Sequence, residues 1–117
     1  MADENCADAQ DQATLNECAY DAYNTADERL NAEYKAVMKR LGDDDATKSS
    51  LIAAQRAWIA YRDAECKFQA SGVEGGSIYP TIRAFCLRQL TDARTQDLED
   101  YLRCQEGDLG CPVPAAN

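Results

Sequence analysis

Six cysteines and not one histidine in 117 residues constrain this chain more than any other feature. An even cysteine count in so short a sequence reads as a disulfide framework, which persists only in oxidising places such as a periplasm or the extracellular space. The missing histidine removes nucleophiles driven by an imidazole base, and every zinc, copper or haem site that needs an imidazole ligand. No catalytic, cofactor-binding or metal-ligating residue is therefore assigned. The sequence points to recognition, not turnover.

Apolar residues recur at helical spacing along most of the chain. Leu15, Cys18, Ala22, Ala26, Leu30, Tyr34, Val37 and Leu41 form one stripe at steps of three and four. Thr14 with Glu17 makes a capping-box start and Gly42 a stop, giving a first helix roughly 40 Å long. After the turn Asp43–Asp45, Thr47, Ser49 or Ser50 caps a second helix. Its expected inner face carries Leu51, Ala54, Trp58, Tyr61, Glu65 or Cys66, and Phe68, and it ends near Ala70. The glycine-rich segment from Ser71 to Ser77 breaks the pattern. Ser77 followed by Pro80 restarts a third helix, with Ile82, Phe85 or Cys86, Leu90, Ala93, Asp97 or Leu98, and Tyr101 or Leu102 inside, to about Arg103. The fold class is all-α: an up-down-up bundle of three long helices, with room for a short extra helix between Ala2 and Asp11. A single domain covers residues 1–111, and 112–117 reads as a disordered tail.

Helix geometry limits how the cysteines pair, because bridged Cα atoms lie within roughly 7 Å. Cys6 can fold back on Cys18 only if the chain bends near Gln10 to Ala13, since one continuous helix would hold them about 18 Å apart. Cys66 and Cys86 flank the glycine loop and face each other across antiparallel helices. Cys104 and Cys111 remain, with Gly107 and Gly110 permitting a tight return.

Charge excludes further classes. Twelve Lys plus Arg against 21 Asp plus Glu give a net charge of −9, which repels nucleic acid and anionic lipid and attracts basic partners. No apolar run reaches the roughly 20 residues that span a bilayer. Met1-Ala2-Asp3-Glu4 has neither the basic start nor the apolar stretch of a secretory signal. The expected form is thus periplasmic or secreted, mature after signal removal, with lipid anchorage left open. Asp43, Asp45 and Thr47 imitate a calcium loop only faintly: Lys48 replaces its glycine and Ala54 its bidentate glutamate. Asp63 and Glu65 point to different helix faces and make no glycosidase pair.

Several residues together resemble one family: Asn16-Glu17-Cys18, Ala26-Asp27-x-x-Leu30-Asn31-x-x-Tyr34, Ala54-Gln55-Arg56-x-Trp58-x-x-Tyr61-Arg62-Asp63-x-x-Cys66, Gly75-Gly76-Ser77, Cys86 and Leu90-Thr91-x-x-Arg94. This pattern, from about Cys6 to Leu102, resembles the LprI-type lysozyme-inhibitor domain. The resemblance implies a small, helical, exported, disulfide-containing bacterial domain, in a family where lysozyme inhibition is attributed to some members. The Cys104–Cys111 extension lies outside the shared motif.

The polar motif residues fall on helix faces. Asp27 and Asp63 are expected to accept from Arg62 or Arg94, with Asn31 and Gln55 completing a polar layer around Trp58; the alternative is a concave ligand pocket beside Trp58. For function, the first expectation is a protein-binding module that inhibits a basic lysozyme, making contact through Val73, Glu74, Ile78 and Tyr79 of the disulfide-flanked loop. The alternative is an envelope structural or stress-related interaction protein that inhibits no enzyme.

Overall fold

Two acidic side chains set where the helices begin. In the computed structural model, which describes residues 6–116, Asp11 Oδ1 accepts from the Thr14 backbone amide at 2.8 Å and starts helix α1, Gln12–Leu41. Asp44 accepts from the Thr47 amide at 3.1 Å and the Thr47 hydroxyl at 2.6 Å, starting α2, Asp45–Gln69. These bonds hold both carboxyls below the usual carboxylate range; the backbone amide of Thr14 is the main cause at Asp11, the Thr47 hydroxyl at Asp44. Thr14 and Thr47 are therefore donors within the first turn, not the caps that the sequence suggested. In each case a carboxylate three residues earlier accepts from the threonine's own backbone amide and so sets the helix start earlier in the chain.

Gly42 ends α1 at φ 61°, as its position in sequence led us to expect. Helix α3, Tyr79–Leu102, starts after Ile78 without a side-chain cap, and Pro80 sits in its first turn. Ser77 does not cap it: its carbonyl accepts from Asn16 Nδ2 at 3.1 Å. The short helix sought before Asp11 is a single 3-10 turn, Cys6–Asp8, while Ala2 to Asn5 lie outside the described residues. No strand occurs among the described residues.

The bundle runs up, down, up. Gln12 Nε2 reaches Thr81 Oγ1 at 3.2 Å near the start of both outer helices, and Arg40 Nη1 reaches the Leu102 carbonyl at 3.2 Å near their ends. Thus α1 and α3 are parallel, and α2 returns antiparallel to both. The α1–α3 contact is by far the most extensive. Small side chains are prominent in it: Ala19, Ala22 and Ala26 are buried on α1, and Thr81, Ala84, Thr91 and Thr95 on α3, where Leu87 is buried as well. Small contact residues let helix axes come close. Thr95 Oγ1 donates to the Thr91 carbonyl one turn back, whereas the buried Thr91 hydroxyl has no protein partner among the described residues. Towards the far end the core broadens into Leu30, Val37, Leu41 and Leu98. The radius of gyration, 17.1 Å, exceeds the roughly 13 Å of a compact chain this long, because three parallel rods make a slab of 52 × 28 × 19 Å.

Helix α2 follows its apolar pattern only in part: Leu51 and Trp58 pack against the core and Cys66 is buried, as expected. Its buried residues are Gln55, Arg62 and Cys66, while Ala54 is exposed and Tyr61 and Phe68 are 56% and 71% exposed. The Cys66–Cys86 bond fixes the rotation: with Cys66 turned inward, Phe68 lies roughly 200° around the helix. On α3 the same bond turns Cys86 inward and leaves Phe85 largely outside.

All three bridges form as the sequence suggested, with Cα separations of 5.8 Å for Cys6–Cys18, 5.4 Å for Cys66–Cys86 and 5.9 Å for Cys104–Cys111. The bend needed by the first lies between the 3-10 turn and Asp11. Val113 is buried in the core beside Leu41, and Arg40 Nη1 donates to the Pro114 carbonyl at 3.3 Å.

Closing a 20-residue loop stabilises by about 3 kcal/mol in the chain-entropy picture, which in a domain this size corresponds to roughly 10–20 °C. The Cys66→Ala/Cys86→Ala double variant should melt lower by that amount in circular dichroism. Melting together with the parent would contradict the bracing role.

Candidate functional site

The two antiparallel neighbours α1 and α2 touch least, and a groove of about 570 Å³ stays open between them. Helix α1 offers Tyr23, Asp27, Asn31 and Tyr34 to it, at i, i+4, i+8 and i+11 on one face. Helix α2 offers Ile52, Gln55, Arg56, Ile59 and Arg62.

Arg62 organises one wall. Its guanidinium carbon lies 5.1 Å from the Trp58 ring centroid and 5.5 Å from that of Tyr23. Nη2 and Nε both meet Asp63 Oδ1 at 3.1 Å, while Nη1 stands 3.7 Å from Asp27 Oδ1. The side chain is only 10% exposed, so its charge is balanced by carboxylates at the rim and by two aromatic faces. Asn31 Nδ2 donates weakly to Asp27 Oδ2 at 3.5 Å. Burial pushes the Tyr23 phenol up; Arg62 opposes that shift, and Asp27 and Asp63 add to it.

Arg94 belongs to a separate set. Its Nε donates to Gln55 Oε1 at 2.9 Å and its Nη1 stands 3.8 Å from Asp97, so both aspartates of the motif pair with Arg62 and neither with Arg94. Sequence reasoning missed Tyr23, whose signal was its place one turn before Asp27 on the same face. It also missed the links at the helix starts, where Gln12 and Thr81 both bond to Asn16 Oδ1.

The glycine loop lies at the opposite end of the bundle from the Cys104–Cys111 bridge. A 3-10 turn, Ser71–Val73, runs into a second turn in which the Gly76 amide donates to the Val73 carbonyl at 2.9 Å. Gly75 has φ 83°, and a Cβ on Gly76 would stand 3.1 Å from the Val73 carbonyl oxygen, so both positions favour glycine. Of the four proposed contact residues, Glu74 and Ile78 are exposed, and Val73 and Tyr79 half-buried. Phe68 and Phe85, on the helices leading into and out of the loop, are exposed too. Among the described residues no group of acidic or cysteine side chains could hold a metal ion, and no helix is long and apolar enough to cross a membrane.

Removing Arg62 should cost far more than removing its anionic partner. Arg62→Ala loses the aromatic contacts and opens a gap between α1 and α2, with an expected loss of about 2–4 kcal/mol. Asp27→Asn breaks only a long, partly exposed pair, worth below about 1 kcal/mol. Urea unfolding of both variants checks the order.

No solved structure shows significant similarity to the chain. An uncharacterized protein of Rhizobium meliloti (strain 1021) is 38% identical over 113 residues, covering 87% of this chain and 81% of that protein. A family model described as lysozyme inhibitor LprI matches residues 2–98, which takes in the polar groove, the glycine loop and two of the three bridges. The chain belongs to the LprI lysozyme-inhibitor family.

Proposed function

We propose that this chain is an exported, extracytoplasmic protein-binding module that inhibits lysozyme-type cell-wall hydrolases through the loop end of its bundle. The observation that carries the reading is a rigid, exposed loop on a cross-linked base. Cys66–Cys86 ties the helices on either side of it, Cys6–Cys18 clamps the start of α1, and Asn16 holds the Ser77 carbonyl. A loop ordered in advance loses less entropy on binding than a mobile one. Family membership supplies the class of partner. Three disulfides fit an oxidising compartment. A net charge of −9 steers the chain towards a basic hydrolase.

Glu74 and Ile78 would meet the partner first, with Val73 and Tyr79 supporting them. Glu74 is the charged contact of that set and Ile78 the exposed apolar one. The test is cell-wall lysis by a basic lysozyme with titrated protein at low and high salt. We expect lysis to slow with added protein, the effect to weaken as salt rises, and the Glu74→Ala/Tyr79→Ala variant to inhibit at least about tenfold less at unchanged melting temperature. Undiminished lysis at micromolar excess would remove the inhibitor reading for that lysozyme. Full inhibition by the variant would remove the loop as the contact surface.

A further inference from the structure

The groove between α1 and α2 lies to one side of the bundle, and the loop reading leaves it unused. We propose that it is a binding site for a neutral, N-acetylated glycan. Three features of the lining point to that chemistry.

The first is charge. In a chain of net −9, the charged lining of this groove is Asp27, Arg56 and Arg62, and Asp63, beside the lining, also pairs with Arg62, so the site is close to neutral. Arg62 is already answered by two carboxylates, which leaves little for an added anion to gain. A basic ligand meets Arg56. A neutral polar ligand pays neither penalty.

The second is the kind of polar group. Asn31, Gln55, Asp27 and Arg62 are all planar groups with paired donors or acceptors, the geometry that matches adjacent hydroxyls and amides. Gln55 is only 8% exposed, and its Oε1 is taken by Arg94, so its NH2 remains for a ligand. A buried amide donor held in fixed orientation favours an acceptor such as an acetamido carbonyl.

The third is the apolar share. Tyr23, Tyr34, Ile52 and Ile59 alternate with those polar groups, offering phenol rings to sugar faces and aliphatic contacts to an acetyl methyl. A partner helix would need a continuous apolar seam, which Asp27, Asn31 and Gln55 interrupt. The stretch from Tyr23 to Tyr34 spans roughly 17 Å of helix, long enough for a short oligosaccharide.

The test uses the oxidised full chain and no lysozyme, so its outcome is independent of inhibition. The probes are N-acetylated chitotriose and cellotriose, which differ in the acetamido groups. Binding is read by fluorescence of Trp58, the single tryptophan, which stacks on Arg62, and by amide chemical shifts. Chitotriose should saturate, shift amides of residues 23–34 and 52–62, and bind at least about tenfold more tightly than cellotriose. Asn31→Ala and Ile59→Asp, both at exposed positions, should keep the melting temperature and weaken chitotriose by at least about tenfold. No saturable change by either readout, equal affinity for the two sugars, shifts confined to other regions, or undiminished binding by both variants would overturn the proposal.

Discussion

The close approach of α1 and α3 is the constraint on which the rest of the molecule depends. Alanines on one helix and threonines with an alanine on the other let two parallel backbones come close before the larger Leu30, Val37 and Leu98 fill the far end. Parallel neighbours cannot be joined by a short turn, so the chain must cross back between them, and α2 is that crossing. With the tight seam already made, α2 lies against the pair and touches α1 little. The open groove is the consequence of that asymmetry, and Arg62 stands in the space that close packing would otherwise have filled.

Disulfides then set how α2 is rotated. Joining Cys66 to Cys86 turns the stripe of Gln55, Arg62 and Cys66 inward and leaves Tyr61 and Phe68 in solvent. A hydrophobic gain is given up in exchange for a buried polar layer. Such a layer contributes little net stability, because its groups were well hydrated in the unfolded chain. Covalent cross-links supply what the small core does not. At the far end, the Cys104–Cys111 loop and Val113 close the broad end of the core, beyond the span that the family shares.

Much of the architecture is legible in the sequence for identifiable reasons. Gly42 and the glycines near Gly75 punctuate three long periodic segments, and local order leaves few ways to pair six cysteines. Errors arise where side-chain size misleads. Periodicity weighs large apolar residues, so Phe68 and Tyr61 looked like core, while Thr81, Thr91 and Thr95, small enough for the seam, were not counted in the apolar stripe of the third helix. At the helix starts, Thr14 and Thr47 resembled caps because either hydroxyl could accept an amide; an aspartate three residues earlier does so in both cases. The motif did flag Asp27, Asn31, Tyr34, Gln55, Arg56 and Arg62 of the groove, but their spacing gave no sign that Arg94 would turn to Gln55 and Asp97 while Arg62 took both Asp27 and Asp63. Val113 was invisible for a similar reason: one valine among prolines and alanines carries no period.

The most direct measurement compares two alanine-to-leucine changes by equilibrium urea unfolding. Ala26 is 4% exposed in the α1–α3 seam, and Ala57 lies on the outer face of α2. If close backbone approach sets the fold, Ala26→Leu should lose at least about 1–3 kcal/mol through overpacking, and Ala57→Leu should stay within about 0.5 kcal/mol of the parent. Equal stability of the two variants would contradict the account, because it would mean that the seam has room to spare.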